Sequence, residues 1–175
     1  MFGNLGARSG LCANNTVWNI HSIYDGSAAG IYVDGGSDIT IKLTELHHSN
    51  IGIEIGAESK DQTATKMVVQ KNYLLEANQL EHNDAKHTSG REISVSFASD
   101  STIQRNVIKP NEQNVILVID QVGDLKNNFD HQVYYPNGKH STAADLIFYW
   151  GNIECDGLQA FQKTTEQEMH ATVLK

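Results

Sequence analysis

The sequence predicts an all-β fold: a single-stranded right-handed parallel β-helix of about five stacked coils, each of roughly 22 residues, with a C-terminal cap. Two observations predict it. A short apolar-x-apolar strand recurs along the chain, and a second strand ending in a polar turn residue follows each copy. Helical periodicity appears only near the C-terminus, which disfavours an alternation of strands and helices.

The first strand begins with a small or polar residue at positions 30, 52, 92 and 114, so its copies are 22, 40 and 22 residues apart. Alternation along each copy predicts that its apolar side chains share one interior. The four copies are Gly30–Asp34, Gly52–Gly56, Glu92–Ser96 and Asn114–Val118. The predicted interior residues are Ile31, Val33, Ile53, Ile55, Ile93, Val95, Val115 and Leu117.

The second strand ends in a turn residue at positions 44, 72, 106 and 128, with intervals of 28, 34 and 22 residues. Two loop insertions in one repeat explain both series of intervals. Asparagine adopts left-handed backbone geometry readily, and its amide can bond to the equivalent residue of the next coil. The predicted stack of turn residues is Thr44, Asn72, Asn106 and Asn128.

Two segments are predicted, with coils over 1–130 and a capping segment over 131–175 that includes a short helix near residues 156–162. Residues 1–14 contain no alternating apolar strand, so the first coil is predicted to lack a cap. Because an uncovered coil leaves main-chain groups unpaired, we expect this end to self-associate.

Charge and hydropathy exclude several classes of protein. The formal net charge is −8, which argues against a nucleic-acid partner because such partners require a basic face. The sequence contains no run of 18 apolar residues, so it predicts no membrane span. The first eight residues lack the basic start and apolar run of a signal peptide.

Several of these segments resemble repeats of the right-handed parallel β-helix proteins of the pectate-lyase-like superfamily. The segments are Asn15–Asn19, Gly30–Asp38, Ile51–Ile55 and the tail from Asn128 to Gln162. Such proteins have more coils, and residues 78–92 hold only about half of the coil expected there. The resemblance implies a secreted or extracellular protein that handles carbohydrate. The superfamily's lyases use a Lys or Arg base and Ca²⁺ held by clustered carboxylates.

Outward positions of the first strand align from coil to coil, which predicts that Tyr32, Asp34 and Glu54 are neighbours. An aromatic ring beside carboxylates suits sugar stacking together with hydroxyl recognition or acid–base catalysis. The alternative is that these are ordinary solvated strand residues. By the resemblance, Asp34, Asp38, Glu54 and Glu58 are the candidate calcium ligands.

The insertion at residues 80–91 is rich in titratable groups. Long loops on a rigid scaffold often carry sites, so His82, Asp84 and His87 are candidates for a metal, and His87 with Arg91 for a uronate. The alternative is that this loop is the remnant of a deleted coil and has no function. The catalytic candidates are therefore Glu54, Asp34, Tyr32, Arg91 and His87.

Two functions of different classes follow. The first is a carbohydrate-active protein, polysaccharide-lyase-like or a glycoside hydrolase, that binds a polysaccharide along the outer face of the first sheet. The second is a non-catalytic module, such as a surface, adhesin or scaffold protein or an inactive fragment. The repeats alone do not separate them, because one fold carries many functions.

Overall fold

A computed structural model describes residues 6–22, 28–77, 90–120, 126–138 and 141–175. The described residues form nineteen short strands in three separate sheets, together with one α-helix and two short 3-10 turns. The predicted single-stranded β-helix solenoid is therefore wrong as a fold class. The sequence predicted two strands in each repeat, and therefore two series of stacked strands, whereas the strands of the chain form three sheets.

Sheet I contains six strands in the spatial order β18-β17-β14-β10-β6-β3. All neighbours are parallel except β17 and β18, which form an antiparallel pair, so the sheet is mixed. The strands are β3 (Ala29–Asp34), β6 (Ile51–Gly56), β10 (Arg91–Ser96), β14 (Val115–Ile119), β17 (Ile147–Trp150) and β18 (Ile153–Asp156).

Sheet II contains seven parallel strands, with the order β11-β7-β4-β8-β12-β15 and with β1 paired to β4. The strands are β1 (Arg8–Ala13), β4 (Ser37–Lys42), β7 (Ala64–Thr65), β8 (Val68–Gln70), β11 (Ala98–Ser99), β12 (Thr102–Gln104) and β15 (Asn128–Asp130).

Sheet III contains six parallel strands in the order β19-β16-β13-β9-β5-β2. They are β2 (Thr16–Trp18), β5 (Glu45–His47), β9 (Tyr73–Leu75), β13 (Val107–Lys109), β16 (Val133–Tyr134) and β19 (Thr172–Val173). None exceeds three residues, so no alternation of apolar and polar residues could identify them in the sequence. These short strands are the physical reason why sequence reading missed the third sheet.

The helix and two turns lie outside the three sheets. The α-helix, α1 (Leu158–Thr165), lies where the sequence predicted one, and it buries Leu158 and Phe161. The 3-10 turns span Lys60–Gln62 and Ala143–Asp145. No helix in the described ranges is long and apolar enough to cross a membrane. Strands after residue 130 extend sheets I and III, and the predicted division at that residue stays a prediction.

The core lies among the three sheets and consists of one cluster of buried side chains. Ile53, Ile41 and Leu46 each come from a different sheet and are at most 1% exposed. Of the eight predicted interior residues, six are buried. Ile31 and Val33 are only partly buried, because β3 is an edge strand without a neighbour on its second side in the described residues.

The predicted alignment of β14 with β10 is wrong by two residues. Ser94 lies opposite Val118 and not opposite Ile116. The interval between these strands is therefore 24 residues, where the repeat predicted 22. Every outward neighbour beyond β10 changes in consequence, although Val115 and Leu117 are still buried.

The turn residues form a buried ladder of Thr44, Asn72, Asn106 and Gln132, which Thr44 joins through its main-chain N–H and the other three through their side chains. Three of these four positions were predicted. Gln132 stands where Asn128 was expected, because Asn106 aligns with a residue 26 positions later and Asn128 is exposed. The left-handed backbone falls one residue before each member of this ladder, at Leu43, Lys71, Arg105 and His131.

Candidate functional site

The outer face of sheet I carries a row of aligned side chains, which we call the outer row. Strand register places Tyr32 beside Glu54, Glu54 beside Ser94, Ser94 beside Val118, and Val118 beside Tyr149. The row thus crosses five strands and has an aromatic residue at each end. Since neighbouring strands lie about 4.8 Å apart, four spacings give a length of about 19 Å.

Glu54, next to Tyr32 in the outer row, is held by a short hydrogen-bonded chain. The Arg91 guanidinium donates from Nη2 to Ser94 Oγ at 3.0 Å, and Ser94 Oγ donates to Glu54 Oε1 at 3.3 Å. Ser94 has no exposed surface, whereas Glu54 is partly exposed. The chain therefore fixes the carboxyl group while leaving part of it open to solvent.

The pKa of the Glu54 carboxyl group is raised above its ordinary value. Partial burial is the largest cause, the nearby Arg91 charge and the Ser94 hydrogen bond oppose it, and the negative charge of Asp120 adds to the increase. A carboxyl group with a raised pKa keeps its proton more readily near neutral pH, which is what a general acid requires.

Tyr32 offers an exposed aromatic ring at one end of the outer row, with a relative exposure of 50%. Burial of part of the ring raises the pKa of its hydroxyl group, and the charges of Asp34, Glu54 and Glu58 raise it further. The Tyr32 hydroxyl group also hydrogen-bonds to the Asp34 carboxylate. The predicted closeness of Tyr32, Asp34 and Glu54 is thus present in the structure.

Asp120 belongs to this face, although sequence reading missed it. It follows β14 directly, and Ser96 Oγ donates a short hydrogen bond to its carboxylate. The register error in β14 hid it, because the predicted alignment put Val118 at this position. Asp34, Gly56, Ser96 and Asp120 together form a second, shorter row beside the outer row.

Gly56 occupies that second row for a steric reason. A Cβ atom there would come within 2.0 Å of the carbonyl oxygen of Ser96. Because of this close approach of the two main chains, no side chain stands between Asp34 and Ser96 in the second row.

The four predicted calcium ligands do not form one compact group. Asp38 lies in β4 of sheet II, whereas Asp34 and Glu54 lie in sheet I. All four residues are described, and no three of them bring a carboxylate oxygen within 4.8 Å of one another. The predicted calcium site stays a prediction.

Of the candidate site residues in the insertion at residues 80–91, the structure describes Arg91 alone. Arg91 begins β10 and reaches the site through Ser94. His82, Asp84 and His87 lie outside the described residues, so their predicted roles stay predictions.

Comparison with known proteins yields one informative similarity. The chain is 26% identical over 170 residues to YwoF of Bacillus subtilis strain 168, which is named as an uncharacterized protein. The alignment covers 83% of this chain and 36% of that protein, so the chain spans about a third of the relative's length. No family model matches the chain. No solved structure matches it.

These findings overturn the predicted membership of the pectate-lyase-like superfamily. The three separate sheets and the helix differ from the solenoid that the resemblance implied, and no family model supports the assignment. The lyase-like character and the extracellular location rested on the same resemblance, and nothing in the structure or the comparisons supports them. The chemistry of the outer row has to be argued from its own residues.

Proposed function

We propose that the protein binds a polysaccharide along the outer face of sheet I. The observation that carries this proposal is the exposed Tyr32 ring directly beside Glu54, whose carboxyl group is held by Ser94 and Arg91. An aromatic platform beside fixed polar groups suits a sugar, which presents an apolar ring face and a rim of hydroxyl groups.

The shape of the outer row favours a chain of sugars over a single one. Tyr32 and Tyr149 stand at its two ends, about 19 Å apart. Both rings keep exposed surface, and Tyr149 also has a carboxylate partner in Glu154. An extended ligand could stack at each end and meet carboxylates between the two rings.

Glu54 is the residue suited to acid–base work on such a ligand. Its raised pKa and partial exposure fit a group that donates a proton to a glycosidic oxygen, with Asp34 or Asp120 as the second carboxyl group of the pair. Cleavage of the bound glycan is a more specific proposal than binding alone. A non-catalytic binding module would share the same face without turnover.

Binding is tested by titrating the protein with neutral glycans and polyuronates in a calorimeter, with and without Ca²⁺. We expect Tyr32→Ala to weaken binding of the best ligand about tenfold, equivalent to about 1.4 kcal/mol. Tyr73→Ala is the matched control, because Tyr73 is 48% exposed but lies in sheet III. Equal loss in both variants, or no binding in the panel, contradicts the proposal.

Cleavage is tested by assaying the same glycans for new reducing ends and for unsaturated products. If the protein turns over a glycan, Glu54→Gln should lower the rate about 100-fold or more while binding persists. Glu45→Gln, an exposed carboxylate in sheet III, should leave the rate unchanged. Binding without products would assign the non-catalytic function.

We also propose that the chain associates with itself through the edge formed by β2 and β3. Both are edge strands of their sheets among the described residues. Leu11 and Trp18, near this edge, are each 65% exposed. Since unpaired edges and exposed apolar side chains favour association, sedimentation should show a mass that rises with concentration. A single monomer mass at all concentrations would exclude it.

A further inference from the structure

A second cluster of reactive side chains lies far along the chain from the outer row. Asp130 ends β15 in sheet II, His131 follows it, and His170 precedes β19 in the C-terminal segment. Among the described residues, these are the only group of three or more possible metal-ligand side chains whose ligand atoms all lie within 4.8 Å of one another. The proposed function uses none of them.

Main-chain hydrogen bonds fix the carboxylate of Asp130. Its Oδ1 atom accepts from the backbone N–H groups of His131 and His170, each at 2.8 Å. With Oδ1 occupied, Oδ2 faces both imidazole rings. It lies 2.6 Å from Nδ1 of His170 and 3.2 Å from Nδ1 of His131. Two segments 40 residues apart thus each direct an imidazole nitrogen at one oxygen atom.

The two rings support the same convergence. His131 stands at the left-handed turn that the repeat also forms at Leu43, Lys71 and Arg105, with φ of 61°. The two rings stack with centroids 4.8 Å apart and planes 22° apart.

We propose that Asp130, His131 and His170 bind one divalent transition-metal ion of the zinc class. Two imidazole nitrogens and one carboxylate oxygen are a ligand set that Zn²⁺ accepts at about 2.0–2.2 Å each. Tetrahedral ligation at those lengths separates ligand atoms by about 3.4 Å, so the Nδ1–Oδ2 distances need change by less than about 1 Å.

The two histidine side chains are exposed, so an ion can reach the site from solvent and one coordination position can stay free. The side chains of His131 and His170 are 45% and 67% exposed, whereas that of Asp130 is 17% exposed. Three protein ligands leave a fourth position for water or another ligand. The bound ion would join the C-terminal segment to β15, which a main-chain hydrogen bond from Glu168 to Phe129 already connects at 2.8 Å.

The experiment titrates Zn²⁺ alone into the full chain by calorimetry and repeats the titration with Co²⁺, whose visible absorption reports its ligands. We expect one site per chain, a rise in melting temperature with Zn²⁺, and reversal by EDTA. His131→Gln and His170→Gln should each weaken Zn²⁺ binding roughly tenfold or more. Ca²⁺ and Mg²⁺, which prefer oxygen ligands, should not compete.

The matched control is the double variant His47→Gln, His48→Gln. These histidines also lie beside carboxylates, but each faces a different one, at 3.6 and 3.7 Å. Zn²⁺ binding should persist in this variant. Absence of Zn²⁺ binding, or binding that survives His170→Gln or disappears equally in the control, overturns the proposal. Because His170 is largely exposed, its replacement tests the site even if a change at Asp130 prevents folding.

Discussion

Replacing Asn106 with alanine should lower the free energy of unfolding by roughly 3–5 kcal/mol. Asn106 Oδ1 accepts from the main-chain and side-chain nitrogens of Asn72, and its Nδ2 donates to the Val69 carbonyl oxygen and to Gln132 Oε1. Asn106 is 0% exposed. Alanine would leave several buried polar groups without partners, and each costs about 1–3 kcal/mol. Urea unfolding followed by circular dichroism measures the change.

The control for this prediction is Asn128→Ala. Asn128 is the position that the repeat predicted for the ladder, but its side chain is exposed. Its replacement should change the free energy of unfolding by less than about 0.5 kcal/mol. A large cost at Asn128 and a small one at Asn106 would mean that the ladder follows the predicted 22-residue spacing after all.

Glu92→Gln should stabilise the protein increasingly as the pH rises. Glu92 is 0% exposed, its Oε1 accepts from the Ala77 main chain at 2.9 Å, and its Oε2 has no hydrogen-bond partner among the described residues. Burial raises the pKa of this carboxyl group well above its ordinary value; the Ala77 hydrogen bond opposes the increase and the Glu76 charge adds to it. Glutamine keeps the acceptor and removes the ionisation.

The sign of the effect follows from proton binding in the two states. In the unfolded chain Glu92 has its ordinary pKa of 4.5, so above that pH the unfolded chain releases a proton that the folded chain retains. The free energy of unfolding of the wild type therefore falls by about 1.4 kcal/mol per pH unit until the folded pKa is passed. Below pH 4.5 this contribution to stability is fully present.

Urea unfolding between about pH 5 and about pH 8 measures this difference. The gap between Glu92→Gln and the wild type should widen with pH until the folded pKa of Glu92 is passed. Glu112→Gln, at an exposed position, should show a gap that stays constant. A constant gap for Glu92→Gln as well would show that the carboxyl group reaches solvent in the folded protein.

The two proposed sites are independent of each other in the structure. The outer row belongs to sheet I, whereas the proposed metal site joins sheet II to the C-terminal segment. Zn²⁺ binding could therefore fail while glycan binding holds, and the reverse is equally possible. Tyr32→Ala should leave Zn²⁺ binding unchanged, and His170→Gln should leave glycan binding unchanged.

The sequence by itself determined which side chains of sheet I face the core and which side chains meet at one end of its outer face. Alternation with a period of two identifies the buried Ile53 and Ile55, and it puts Glu54 on the opposite side. The 22-residue interval between positions 30 and 52 aligned Tyr32 with Glu54 correctly. These features are local, or rest on one regular interval, so the printed residues suffice to predict them.

Only the tertiary structure decided the third sheet, the position of Asp120 and the meeting of Asp130 with His170. Strands of three residues are too short to show a period, so their sheet is defined by hydrogen bonds to neighbouring strands. Asp120 reaches its row because β14 pairs two residues away from the predicted register. His170 lies 40 residues from Asp130, and only the return of the C-terminal segment to β15 brings the two together. Intervals that loops have altered carry no periodic signal, so packing alone sets which residues meet across them.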